Sequence, residues 1–371
     1  MKKKISVITL HRIVNYGSVL QAYATQEVLE KKGYDVEFID YYPERMHMFG
    51  MLKRIKNKGD KFKKSFIIRN VARIIMFPSY VLRFKRFHGF IKKKLNLSDR
   101  IYKNEEDFIK NPPKADFYCT GSDQVWNSGW NEKIDHPFFL DFETNGKKCF
   151  AYAASFGKGK LEDWEKEETK KLLMKYSDIA MREKSGVEIL ENLGIHSGIN
   201  VLDPTLLLSG DEWSKVASKK YENKKYIFVY NLNRNKKIDA YVEKLAKEKN
   251  LDIYYVSYAV HEFYKKGKMK CDVKVEDFLS LIKNATYVVT DSFHATAFSI
   301  NFNTQFMIVF PEKYSTRVKS ILEITNLQSR IVDDYNDVSL ANNEVNFEEA
   351  NKILTEERRK AIGYFDEVLK D

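Results

Sequence analysis

Residues Tyr287-Val-Val-Thr-Asp-Ser-Phe-His294-Ala-Thr-Ala-Phe-Ser-Ile300 pass from a β-branched strand signal to a small-residue helical one. Val288-Val289-Thr290 predicts a buried strand, Asp291-Ser292 a polar turn, and 295–302 a buried helix. Doubly wound α/β proteins bind ligands at such a junction, outside the carboxyl end of the strand. Backbone N–H groups and the positive end of the helix dipole there point at any bound anion. His294 opens the helical segment. Its imidazole can deliver a proton to an anionic substrate, or it can cap the helix or fill a polar gap.

The neighbouring segments repeat the alternation. A helix over 275–283 precedes this strand, and Gln305-Phe-Met-Ile-Val-Phe310 follows as another strand. Upstream, 225–230 and 251–257 are strand-like and 238–248 helical. In the first half, strands are expected at 4–10, 35–39, 115–120, 148–153 and 177–181, with helices at 19–32 and 185–192. The opening βαβ unit lacks G-x-G-x-x-G, so it does not signal a dinucleotide. Strands alternating with helices imply parallel sheets covered on both faces. The expected class is α/β, with two Rossmann-like domains facing across a cleft. The boundaries expected are 1–210, with a basic helical insertion at about 51–94, and 211–345, which carries His294. A C-terminal helix at 346–371 is expected to pack across the junction. Phe347, Ala350, Leu354, Ala361, Phe365 and Val368 lie on one side of it.

At 371 residues the chain exceeds the size at which one core keeps growing. Its 43% apolar content excludes a disordered chain. Cys119, Cys149 and Cys271 are far apart, which excludes a local zinc site or a disulfide framework and fits a reducing cytosol. The apolar run 5–10 is too short for a secretory signal, and 66–82 carries Arg69, Arg73 and Pro78. No obligatory cofactor and no metal site are visible. The net charge of +11 is concentrated. Residues 51–94 hold 15 Lys/Arg and one acid, Asp60, a balance of +14, which leaves −3 for the remainder. With phenylalanines and isoleucines interleaved, this segment fits an interfacial helix on an anionic membrane or a solvated cover on a sheet. Nucleic acid is disfavoured, because no recognition module is present and the remainder is near neutral.

Five segments together resemble the polysaccharide pyruvyl transferase family. They are Asn15-Tyr16-Gly17-Ser18, Thr120-Gly-Ser-Asp-Gln-Val-Trp-Asn127, Ala180-Met-Arg-Glu183 with Ser185, Val201-Leu-Asp-Pro-Thr205, and Asp291-Ser-Phe-His-Ala295. The resemblance spans roughly 6–327. It implies a fold similar to the two-domain GT-B type glycosyltransferases. It also implies transfer of pyruvate from phosphoenolpyruvate to two hydroxyls of a sugar or glycan precursor, free or lipid-linked, giving a ketal in cell-envelope or exopolysaccharide synthesis. A glycosyltransferase using a nucleotide sugar is the alternative. The protein would be cytoplasmic, peripheral at the inner membrane face if the basic segment binds lipid.

The family resemblance makes His294 the expected general acid. Two positions depart from it. Members often carry an acidic residue after the first Asn-x-Gly, where this chain has Ser18, and many carry Arg two residues before the His, where it has Ser292. If that Arg neutralises phosphoenolpyruvate, another base replaces it or the donor differs. Arg317 and Lys313, at a strand-to-helix junction, are candidate replacements, or else a solvated charged face. Gly121, Ser122, Asp123 and Gln124 follow a strand directly and suit a sugar acceptor, with Trp126 and Trp130 able to stack on a pyranose ring; a capped turn over core tryptophans is the other reading. Asn15 and Ser18 sit at the first helix start, as ligand contacts or an ordinary N-cap. Arg182 either contacts substrate or pairs with Glu183 or Asp203.

Overall fold

The computed structural model describes residues 2–257, 267–270, 273–310 and 315–370, without the side chains of 58, 315 and 316. The chain forms two compact units. The first comprises Met1–Pro43, Ile91–Leu208 and Leu354–Asp371, the second Glu44–Phe90 and Ser209–Ile353.

The first unit is built on seven parallel strands: β1 (Lys4–Ile8), β2 (Asp35–Tyr41), β3 (Leu97–Tyr102), β4 (Phe117–Thr120), β5 (Lys148–Ala154), β6 (Asp178–Met181) and β7 (Ile199–Asn200). Their spatial order is β3-β2-β1-β4-β5-β6-β7. The central strands β4 and β5 are buried along their length except at Lys148, where β5 begins, as helices above and below a parallel sheet require. The chain winds outward from β1 to β3, then returns to β4 and winds the other way. Ile8 pairs with Thr120, so the carboxyl ends of β1 and β4 lie side by side where the order reverses. The C-terminal part of helix Glu348–Val368 packs on β5. The Tyr364 hydroxyl donates to the carbonyl of Ala151 at 2.8 Å, and the Phe365 ring lies 4.4 Å from that of Tyr152. All six apolar residues expected on one side of this helix are buried.

The second unit holds five parallel strands: β8 (Tyr226–Tyr230), β9 (Asp252–Val256), β10 (Lys268–Lys270), β11 (Tyr287–Thr290) and β12 (Phe306–Ile308). Their order, β10-β9-β8-β11-β12, reverses between β8 and β11. Ile227, Val229, Val289 and Met307 from the sheet meet Tyr241 and Leu245 of helix Lys236–Lys249 in one core.

Two doubly wound parallel sheets are what the sequence alternation implied. The first helix, Tyr16–Lys31, begins three residues earlier than expected, because Asn15 caps it and the Asn15–Ser18 turn is its first turn. The basic segment is helical, in the pieces Met48–Lys53, Asp60–Lys64 and Phe66–Lys94 joined by a 3-10 turn. In sequence it lies between β2 and β3, and by its contacts Glu44–Phe90 groups with the second unit. No described helix is long and apolar enough to cross a membrane.

Candidate functional sites at the two strand-order reversals

In the first unit, the loops at the β1/β4 reversal are joined by a buried polar network. The hydroxyl of Ser18, in the first turn of helix Tyr16–Lys31, donates to Oδ2 of Asp123 at 2.5 Å. Asp123 holds a left-handed backbone, φ 79°, a conformation that costs a non-glycine residue about 1 kcal/mol or more and occurs chiefly in turns and sites. Ser122 beside it donates to Oδ2 of Asp203 at 3.1 Å, and its carbonyl accepts from Thr9 Oγ1 at 2.6 Å. Gln21 Nε2 donates to that same threonine oxygen at 2.9 Å.

Arg182, at the end of β6, lies within this network with its side chain 1% exposed. It donates to Asp203 at 3.1 Å and to Glu183 at 3.3 Å, and stands 3.8 Å from Asp123. Burial opposes its charge most strongly, yet Glu183, Asp203 and Asp123 together raise its pKa above the ordinary arginine value. One guanidinium thus faces three carboxylates, so the cluster is acidic and suited to hydroxyl donors more than to anions. Asp203 also accepts from the backbone N–H and hydroxyl of Thr205, and so caps the turn Pro204–Leu206.

Gly121 has a packing reason to be glycine. A Cβ there would lie 3.2 Å from the Thr9 side chain and 3.3 Å from Val7, within the sheet itself. Asn15 is the N-cap, with Oδ1 accepting from Gly17 N–H at 2.9 Å. Gln124 accepts from Asn127 at 2.7 Å. Trp126 is a core residue: it is buried, stacked on Phe139, and its indole donates to the Phe138 carbonyl at 3.0 Å. The expectation that it stacks on a sugar is therefore corrected, and Trp130, half-buried, is the tryptophan of that pair nearer solvent.

In the second unit, His294 occupies the first turn of helix Phe293–Asn301, directly beyond β11, and is 8% exposed. Ser292 precedes the helix as its N-cap residue, buried, with its carbonyl accepting from Thr296 N–H at 3.0 Å. Asp291 fixes the neighbouring loop: its carboxylate accepts from the backbone N–H of Leu232 at 2.7 Å and of Asn233 at 2.9 Å. Burial raises the pKa of Asp291, while those N–H groups favour its ionised form. The loop after β8 is thereby pinned against the Asp291–Ser292 turn that leads into the His294 helix. The β8 loop contains Arg234, exposed and with φ 57°, a basic residue the sequence reading missed. Its only sequence signal is position, four residues past the end of a strand at a reversal point. Arg317 lies in helix Ser315–Ile324 and is half-buried, whereas Lys313 falls outside the described residues.

Both halves are therefore doubly wound, with polar groups gathered where the strand order reverses, and together they define a two-domain, GT-B-like fold. Solved structures share this fold. Staphylococcus aureus MnaA in complex with UDP has a TM-score of 0.52 at 12% identity, covering all of this chain and 98% of that one. UDP-GlcNAc 2-epimerase from Neisseria meningitidis bound to UDP-GlcNAc has 0.52 at 10%, covering 100% and 99%. A further UDP-N-acetylglucosamine 2-epimerase has 0.53 at 11%, covering 100% and 98%. At these identities the likeness is one of fold. No curated protein matches the chain. Residues 15–310 match the polysaccharide pyruvyl transferase family, and the chain belongs to that family of transferases.

Proposed function

We propose that the protein transfers a pyruvyl group from phosphoenolpyruvate to two hydroxyls of a sugar, in a polysaccharide or a free or lipid-carried glycan precursor. A proton delivered to the methylene carbon turns the enol phosphate into an oxocarbenium-like centre bearing a methyl group. One sugar hydroxyl adds there and gives up its proton. Phosphate then leaves with its bonding electrons, and the second hydroxyl adds and loses its proton, closing the cyclic ketal. Of the two protons released, one replaces that spent on the methylene carbon and the other balances the departing phosphate.

His294 is the proposed proton donor. The observation that carries the reading is its position in the first turn of a nine-residue helix beyond β11, in a member of this family. Backbone N–H groups at that helix start favour an anionic donor. Because Ser292 stands where many relatives have Arg, we assign the missing positive charge to Arg234, in the loop that Asp291 anchors. Ser18, Asp123 and Ser122 in the first unit are the proposed acceptor contacts, since an acidic cluster favours sugar hydroxyls. Arg182 positions these loops through Asp203 and Glu183.

Phosphate release is the test: it should require both phosphoenolpyruvate and an acceptor glycan. A second reading, glycosyl transfer from a nucleotide sugar, draws support from the UDP and UDP-GlcNAc bound by proteins of like fold. Thermal-shift measurements separate the two. Stabilisation by UDP-sugars, with none by phosphoenolpyruvate, would replace the pyruvyl reading.

A further inference from the structure

The helix Phe66–Lys94 changes character along its length. Tyr80, Phe84 and Phe87 are buried in the ordinary amphipathic way. The preceding half does the reverse. No described side chain in 60–78 is buried, yet Ile67 (74% exposed), Val71 (49%) and Ile74 (73%) form an outward stripe with i, i+4, i+7 spacing. The arginines of the same turns point the other way: Arg73 Nε donates to the Leu52 carbonyl at 3.3 Å and Arg69 Nη1 to that of Phe62 at 3.2 Å. Guanidinium groups thus tie the helix to the short pieces before it and leave the isoleucines outside. Phe49, 65% exposed, adds to this face, and with Leu52, Ile74 and Phe77 it lines an apolar groove of about 310 Å³ that Lys53 and Arg73 complete. Exposed apolar surface on this scale marks an interaction site.

Charge selects the occupant. Residues 61–94 contain no acid, and 51–94 carry a balance of +14. A second copy presenting the same face would bring like charge against like charge. A surface both anionic and apolar beneath satisfies the lysines and the isoleucines together. We propose that residues 49–81 dock this protein on an anionic lipid bilayer, with the Ile67–Val71–Ile74 stripe at the headgroup–acyl boundary and the surrounding lysines at lipid phosphates. This goes beyond the pyruvyl reading and does not depend on it.

Flotation of the full chain with phosphatidylcholine vesicles, with and without phosphatidylglycerol, tests the proposal. The protein should float only with the anionic vesicles, less so as salt rises. Replacing Ile67, Val71 and Ile74 together by Ser should weaken partitioning at least about tenfold. Replacing Lys61, Lys63 and Lys64 together by Glu should weaken it about a hundredfold. All six side chains are solvent-facing, so melting temperatures should stay unchanged, which separates lost docking from lost folding. The proposal is overturned by absence of flotation with anionic vesicles, or by flotation that the serine variant leaves intact. A concentration-dependent dimer that the serine variant dissolves, without lipid binding by the wild type, overturns it in favour of self-association.

Discussion

At the residue scale, the placement of His294 at a strand-to-helix junction was legible because a strand signal, a polar turn and a helix signal met in eight residues. Arg182 was legible only as a choice between substrate and a structural pair. The sequence placed Glu183 next to it and Asp203 twenty-one residues on, but only the fold brings Asp123 to the same guanidinium. Of the two readings open for Trp126, ring platform and core, the structure bears out the core one; apolar burial and ligand stacking use the same side chain, so sequence alone left both. Two substitutions test the assignments. His294→Gln should lower turnover about 10²–10⁴-fold, the range for one general acid, with the fold retained; near-normal phosphate release would remove the assignment. Arg182→Met leaves three buried carboxylates facing one another, so it should destabilise by about 3–5 kcal/mol in urea unfolding. A loss below about 1 kcal/mol would mean that solvent reaches the cluster and would reopen a direct ligand role.

At the scale of elements, strands rich in β-branched residues were recognised to within a residue or two, and the helix 275–283 was recognised at both ends. The misses have a shared cause. β3, Leu-Ser-Asp-Arg-Ile-Tyr, is an edge strand whose middle is exposed, so neither alternation nor an apolar run announces it. Helix Asp163–Leu173 is dominated by Lys and Glu and is set by a capping box between Glu162 and Glu165 more than by an apolar face. Asn15 is where cap and ligand contact can be told apart. Asn15→Ala should cost about 1 kcal/mol of stability through the lost cap, and Asn15→Asp should restore it. If capping is its whole role, kcat/KM recovers with stability in Asn15→Asp. An acceptor KM that stays raised in the restored variant would show that the amide also touches substrate.

Across the whole molecule, two buried carboxyls respond to acid with opposite sign, Asp40 in the first unit and Asp291 in the second, and acid should separate their surroundings. In the first unit Asp40 is buried, which disfavours its charge, but hydrogen bonds and charge from His11 and Arg12 outweigh burial and hold its pKa down at about 2. Glu165 and Asp141 are likewise opposed by burial and lowered by Lys158 and by Lys175 with His136. A carboxyl whose pKa is lower in the folded state binds its proton more readily when unfolded. Its contribution is present above the unfolded value and lost as pH falls through the folded one, for Asp40 from about 3.8 down to about 2. In the second unit the buried Asp291 has the opposite sign: desolvation raises its pKa, so protonation relieves a cost. Hydrogen exchange, corrected for intrinsic rates and compared at pH 5 and pH 3, should therefore show β5 losing more protection than β11. The Asp40→Asn variant should be less stable at pH 5 and lose less between the two conditions, because the group that gains the proton is gone. Equal losses in both sheets, or an unchanged pH response in that variant, would mean that the Asp40–Arg12 pair contributes nothing to the acid sensitivity of the first unit.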